Sequence, residues 1–276
     1  LNFFYIIILS SKGLDMAAKI LFLDIETAPE TAYIWRRFKE TVGQTQIKTP
    51  GYLLCMSWAW ANTKPQTASI YQNRSWKRGN RCDDKAVVLA AHKLLCEADI
   101  VVGHNLRSFD IGTLNARFLA YKLPPPTPYK VCDTIETLKK RFHLPSNSLE
   151  SASHYFSIKV KDKQPFTLWR DCMSGVPVAW KRLTTYCEND VEVVRQLYYK
   201  LIPWTDQHPN MGLYESDGSK IICPKCGSDK LHGRGKQLTN AHTYQRFQCQ
   251  NCKGWSRSRL PLKIDRSHIL THAVVN

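Results

Sequence analysis

Apolar and polar positions alternate along the first two thirds of the chain in two different rhythms. Lys19-Ile20-Leu21-Phe22-Leu23-Asp24 is a short apolar run closed by an acid, which predicts a buried central strand with Asp24 at its carboxyl end. Tyr52–Trp60 and Thr67–Tyr71 predict two more strands, joined through the turn cluster Asn62-Thr63-Lys64-Pro65-Gln66, so that together they form a hairpin beside the first. From Asp84 the period becomes helical, with Val87, Val88, Ala91, Leu94 and Leu95 on one face and Asp83 or Asp84 as the cap. Asp99–Gly103 predicts a fourth strand. Ile111–Leu123 predicts a helix stopped by three prolines, and Tyr129–Asp133 a fifth strand. A long helix follows over Pro177–Leu201, opened by one proline and closed ahead of Pro203. The expected fold is α/β, a mixed five-stranded sheet flanked by helices.

Residues 203–219 have linker composition, so the main domain is expected to span 19–202 and a smaller unit to occupy 220–260, with a tail over 261–276. The apolar opening Phe3–Leu9 has no basic residue before it and no small-residue cleavage site after it, and it is too short to span a bilayer. Met16 is read as the natural start and residues 1–18 as an N-terminal extension. A cytoplasmic location is expected, on the nucleoid in a bacterium, with no membrane partner.

Charge changes the picture next. The chain holds 39 Lys plus Arg against 23 Asp plus Glu, a formal net charge of +16, which favours polyanionic partners. Against that background the acids at the ends of strands and helices stand out. In Asp24-x-Glu26 the strand alternation aims both carboxylates the same way, and two such groups side by side need a cation or a shared proton. Asp110 follows the fourth strand at the mouth of a helix, while Tyr186 and Asp190 lie four apart on one helical face. Converged by the sheet, these oxygen donors suit hard cations such as Mg²⁺ or Mn²⁺. Singly, each acid also reads as a cap or a solvated helix charge.

Leu23-Asp24-Ile25-Glu26-Thr27, Gly103-His104-Asn105-Leu106-Arg107-Ser108-Phe109-Asp110-Ile111 and Tyr186-Cys187-Glu188-Asn189-Asp190-Val191 resemble, in this order, the three exonuclease motifs of the DEDD superfamily within the ribonuclease-H-like fold. The third is its tyrosine variant, and the set is most similar to the proofreading domain of family B DNA polymerases. Cys132-Asp133-Thr134 and Ser148-Leu149-Glu150-Ser151-Ala152 agree with it. The resemblance covers roughly residues 19–202. It implies a stand-alone 3′–5′ exonuclease on single-stranded DNA or RNA, releasing 5′-mononucleotides. Asp24, Glu26 and Asp190 would hold one of two Mg²⁺ or Mn²⁺ ions, Asp24 would bridge to a second held by Asp110, and Tyr186 would position the attacking water. Asn105 and Phe109 would contact the terminal nucleotides; their plainer roles are a loop cap and a core residue. A replication or repair protein is an expected partner.

Six of the ten cysteines are scattered singly, whereas Cys223-x2-Cys226 and Cys249-x2-Cys252 form two knuckles with 22 residues between Cys226 and Cys249. Paired thiolate turns supply the four soft ligands of a structural Zn²⁺, and the alternation over Thr243–Cys249 predicts a zinc ribbon. From Gly218 to Leu260 nine basic residues face one acid, Asp229. Tyr244, Phe247 and Trp255 interleave with them, a composition suited to single-stranded nucleic acid, or else to a ribbon that docks on protein. Two other readings remain: a non-catalytic nucleic-acid-binding scaffold in which the ribbon carries function, and a structure-selective endonuclease on the same fold.

Overall fold

The central strand β1 (Ile20–Thr27) is longer than its apolar run suggests, and the reason is its two unlike neighbours. On one side it pairs antiparallel with β2 (Leu53–Trp60) from Leu21 opposite Trp60 to Thr27 opposite Leu53, with a register shift between Glu26 and Thr27. On the other it pairs parallel with β4 (Ile100–Gly103) only from Ile20 to Phe22. Asp24 therefore stands where the parallel ladder has ended and the antiparallel one continues, three residues before the strand itself stops. The expectation that the strand ends at Asp24 is corrected by this one-sided extension.

β3 (Gln66–Ser69) pairs antiparallel with β2, and β5 (Lys130–Asp133) pairs parallel with β4, giving the mixed order β3-β2-β1-β4-β5. This is the expected five-stranded sheet. The description comes from a computed structural model and covers residues 18–158, 164–214, 220–265, 267 and 270. Residues 1–17 of the expected extension, 215–219 of the expected linker and most of the expected tail lie outside it.

Alternation along β1 decides what each face does. Leu21, Leu23 and Ile25 join one buried core with Val87, Val88, Ala91 and Leu95 of α1 (Lys85–Glu97), each valine, leucine or isoleucine contributing about 1.5–3 kcal/mol by leaving water. Phe22, two residues before Asp24, meets Tyr198 edge-on at 5.5 Å on the long helix described below. The face that carries Phe22, Asp24 and Glu26 thus looks toward that helix.

α2 (Asp110–Ala120) follows β4 through a tight turn. Gly103 is required there, since a Cβ would meet the Leu106 Cβ at 2.8 Å. Asn105 takes a left-handed φ of 61°, a conformation Asn tolerates better than most residues. α3 (Thr134–Arg141) is capped by Asp133 and α4 (Leu149–Tyr155) by Ser148, each accepting from a backbone amide two or three residues on. α5 (Thr167–Met173) leads into α6 (Pro177–Leu201), whose bounds match the sequence expectation. At about 1.5 Å per residue this helix runs roughly 37 Å, and its buried side includes Trp180, Leu183, Cys187, Val194 and Leu201.

Asp84 sits at the N-cap of α1 but does not cap it. Fully buried, its carboxylate accepts from the Leu53 amide at 2.9 Å, from the Tyr121 hydroxyl at 2.6 Å and from Arg117. Asp83 instead accepts from the Lys85 amide at 3.1 Å.

Lys19–Gln207 form one compact unit, and the described residues from His208 onward belong to another. The second unit contains a three-stranded antiparallel sheet, β6 (Leu231–Leu238), β7 (Thr243–Cys249) and β8 (Trp255–Arg257), with β7 central. Among the described residues no helix is long and apolar enough to cross a membrane.

Candidate active site and zinc site

The strand alternation and the helix period bring Asp24 and Glu26 of β1 against Asp190 of α6, with one ligand-type oxygen of each within 4.8 Å of the others. All three are half-buried. Asp110 lies buried at the start of α2, outside that set of three. Its Oδ1 accepts from the Ile25 amide at 3.1 Å, so a carboxylate takes the place of the ladder partner that β4 no longer provides. Tyr186 stands one turn before Asp190 on α6, with its hydroxyl under the influence of the Asp190 carboxylate.

Two supporting residues were not picked out from sequence. The Trp169 indole N–H on α5 donates to Glu26 Oε2 at 3.0 Å, and its ring meets Tyr186 edge-on at 6.3 Å. The Cys187 thiol on α6 contacts Asp24 Oδ2 at 3.2 Å. Cys187 lies within the tyrosine motif, between Tyr186 and Asp190, and could have been found there by its neighbours. Trp169 carried no local signal, for its partner is 143 residues away.

Without a cation these acids are held far from their ordinary range. Burial, followed by the Cys187 thiol and the charges of Asp110, Glu26 and Asp190, raises Asp24 well above it. Burial pushes Glu26 up to about 7 against the opposing Trp169 hydrogen bond, with Asp190 adding to the rise. Burial likewise lifts Asp110 to about 7 despite the Ile25 amide, and Asp190 to about 6 despite Tyr186. The Tyr186 hydroxyl is raised by burial and by Asp190, so it stays a proton donor. Hard oxygen donors packed this closely, each reluctant to ionise alone, fit a divalent cation that neutralises them together.

Asn105 and Phe109 flank the same turn. The Asn105 amide donates to Asp133 Oδ1 at 2.8 Å, which fixes the left-handed residue. Phe109 precedes Asp110 and is 45% exposed, so it is not a core residue. Glu188 faces the sheet edge, accepting from Thr67 Oγ1 at 2.9 Å.

In the second unit Cys223, Cys226, Cys249 and Cys252 place their sulfurs within 4.8 Å of one another. The Cys223–Cys252 and Cys226–Cys249 sulfurs lie 3.7 and 3.6 Å apart, close to the ~3.8 Å edge of a tetrahedron with Zn–S bonds of about 2.3 Å. Each knuckle turns through a left-handed residue after its second cysteine, Gly227 at φ 73° and Lys253 at φ 63°. The Gly254 amide points at Cys252 Sγ at 3.4 Å, and Asn251 Nδ2 at Cys226 Sγ at 3.6 Å. Burial raises the Cys249 thiol, but the amides of Cys252 and Asn251 and neighbouring thiols bring it down to about 7, ready to lose its proton to a metal. The cluster fits a structural zinc ribbon.

The chain belongs to the RNase_H superfamily, whose family model matches residues 21–202. That membership supports a nuclease, a hydrolase acting on nucleic acid, and such nucleases use divalent metals. A solved structure it resembles is the family B DNA polymerase from the hyperthermophilic archaeon Pyrobaculum calidifontis, at 15% identity and a TM-score of 0.46. The match covers 68% of this chain and 25% of the polymerase, so the chain spans about a quarter of that protein's length. No curated protein sequence matches the chain.

Proposed function

We propose that the chain is a Mg²⁺- or Mn²⁺-dependent 3′–5′ exonuclease that shortens single-stranded DNA or RNA and releases 5′-mononucleotides. The observation that carries this reading is the convergence of Asp24, Glu26 and Asp190 within 4.8 Å, with Asp110 bonded to the same strand and Tyr186 one helical turn from Asp190. Asp24, Glu26 and Asp190 would hold one ion, and Asp24 with Asp110 a second. Bound divalent cations supply Lewis-acid stabilisation of charge at phosphorus and a nucleophile at neutral pH. The protein's own groups do the positioning. Tyr186, kept protonated, orients the attacking water. Trp169 fixes Glu26 and Cys187 fixes Asp24, so the carboxylates keep their spacing while the water–phosphorus bond forms and the bond to the leaving 3′ oxygen breaks. Asn105 and Phe109 meet the terminal nucleotides, Phe109 through its exposed ring.

The zinc ribbon aids capture of the strand. Arg257 lies over the Tyr244 ring at 3.9 Å and Arg246 over the Trp255 ring at 5.0 Å, guanidinium planes and rings presented on one small sheet. Domain bounds of 19–202 and 220–260 and a replication or repair partner belong to the same proposal.

The test is a 5′-labelled oligonucleotide incubated with Mg²⁺ and the protein, Asp24→Ala or Asp190→Ala. A ladder receding from the 3′ end, lost in both variants, supports the proposal. Internal cuts, attack on circular single strands, or undiminished activity in the variants rejects it. The first two outcomes favour an endonuclease, and binding without cleavage favours the scaffold reading.

A further inference from the structure

Thr27 and Leu53 are paired partners at the end of the β1–β2 ladder, yet the chain between them runs through residues 28–52 before returning. This excursion leaves the sheet at the end that carries Asp24 and Glu26; Asp24 lies only three residues, about 10 Å of strand, from Thr27. At its far end four apolar side chains stand in solvent: Tyr33 at 68%, Ile34 at 53%, Trp35 at 95% and Phe38 at 81% exposure. Among the described residues of this unit no other group of exposed large apolar residues is as dense, the nearest being the pair Val176 and Val178, and a contiguous group of this kind marks a surface that meets something.

The segment is built to hold those rings out. Glu40 accepts from the Trp35 amide at 3.2 Å and the Arg36 amide at 2.8 Å. Gln46 donates to Glu40 at 3.0 Å and to the Tyr33 carbonyl at 3.0 Å, while the Tyr33 amide returns to the Gln46 carbonyl at 2.9 Å. The short ladder of Thr31–Ala32 with Ile47–Thr49 closes the base. Glu40, the acid nearest the rings, is thus held by backbone amides, while Glu30 near the start of the excursion is exposed. Arg36, Arg37 and Lys39 alternate with the exposed rings, and Lys48 sits 5.9 Å from the centre of the Tyr33 ring.

We infer that residues 33–39 form a binding surface for single-stranded nucleic acid, with Trp35 and Phe38 stacking on bases and Arg36, Arg37 and Lys39 pairing with phosphates. A protein partner would be satisfied by the rings alone. Rings alternating with cations, beside an acid already committed to backbone amides, match a polymer that alternates π-faces with negative charge. The exonuclease reading is used only for the identity of the strand, the one whose 3′ end enters the carboxylate site. The loop grips it upstream of the end, so substrate is held by groups that take no part in the chemistry.

The experiment is binding of a fluorescent 20-nucleotide single strand by the full chain without added Mg²⁺ or Mn²⁺, so that affinity is read apart from cleavage. Trp35→Ala with Phe38→Ala should weaken binding about tenfold or more, the usual scale for losing base–ring stacking, with unchanged melting because both rings are exposed. Trp35→Tyr should retain most of the affinity. Arg36→Gln with Arg37→Gln should lower the slope of log affinity against log salt by about one to two. Heparin, which has phosphate-like charge and no bases, should lose affinity in the arginine pair and not in the ring pair. Unchanged oligonucleotide affinity in the ring pair overturns the inference, as does a change confined to self-association or to capture of another protein. A normal 3′ ladder from the ring variants with unchanged affinity would remove this inference and leave the exonuclease standing. Loss of binding in a chain that never cleaves would do the reverse.

Discussion

Replacing Asp190 by Asn should make the metal-free protein more stable while abolishing its use of metal. In the folded chain burial holds the Asp190 carboxyl at about 6, against an ordinary 3.8, even with the Tyr186 hydroxyl acting to lower it. Ionised Asp190 therefore costs about 3 kcal/mol relative to the unfolded chain, at roughly 1.4 kcal/mol per tenfold change. The sign follows from proton uptake: between the two values the folded state binds more protons, so stability falls as pH rises through that window and the full cost is present above about pH 7. As pH falls the cost shrinks, to about a third at pH 4.5. Asn keeps an acceptor for Tyr186, carries no charge, and relieves the repulsion on Asp24 and Glu26. Allowing for the desolvated amide, Asp190→Asn should gain about 1–3 kcal/mol at pH 8, a melting rise of roughly 2–10 °C for a unit of this size. The assay is thermal or urea unfolding in buffer without added Mg²⁺ or Mn²⁺ at pH 8 and 4.5, then with Mn²⁺. Mn²⁺ should raise the parent and leave the variant unmoved. A variant no more stable than the parent at pH 8, or equally stabilised at both pH values, would refute the account of the site as carboxylates held apart from their counter-ion.

Three further outcomes follow from neighbouring contacts. Trp169→Phe removes the donor to Glu26 and lets that carboxyl rise further, so Mn²⁺ binding at pH 7, followed by calorimetry, should weaken about tenfold and its pH midpoint move upward; unchanged affinity would deny the indole a positioning role. Asp84→Ala strands Arg117, Tyr121 and the Leu53 amide, and urea unfolding should show a loss of about 3 kcal/mol, against little change if the network is ornamental. Cys249→Ser, or a strong zinc chelator, should abolish dispersed amide signals from residues 220–260 while those from Lys19–Gln207 persist; a ribbon folded without metal would count against the zinc assignment.

Much of the site was legible because its signals are local. The run before Asp24 fixes a strand, strand alternation then aims Glu26 with it, and the four-residue step from Tyr186 to Asp190 fixes one helical face. Pro177 and Pro203 bracket α6 for steric reasons that need no tertiary information. What failed was decided at long range. The end of β1 depends on β4 stopping short while β2 continues, which no window around Asp24 contains. Asp84 looks like a helix cap from its neighbours, but its partners come from β2 and α2. Cys187 and Trp169 meet their acids across 163 and 143 residues. The ribbon's second left-handed turn falls on Lys253 and not on the adjacent Gly254, a reminder that a glycine nearby marks a turn without saying which residue bears the φ.

The amide of Ile25, bound by Asp110 where the parallel ladder gives out, makes the sheet itself an instrument. Any ion that draws the Asp110 carboxylate must share it with, or take it from, a backbone proton buried in the central strand. That single resonance should therefore register the loading of the site, through its shift and its exchange rate, with no label attached and no substrate turned over. An occupancy gauge would thus be wired into the strand that bears Asp24 and Glu26.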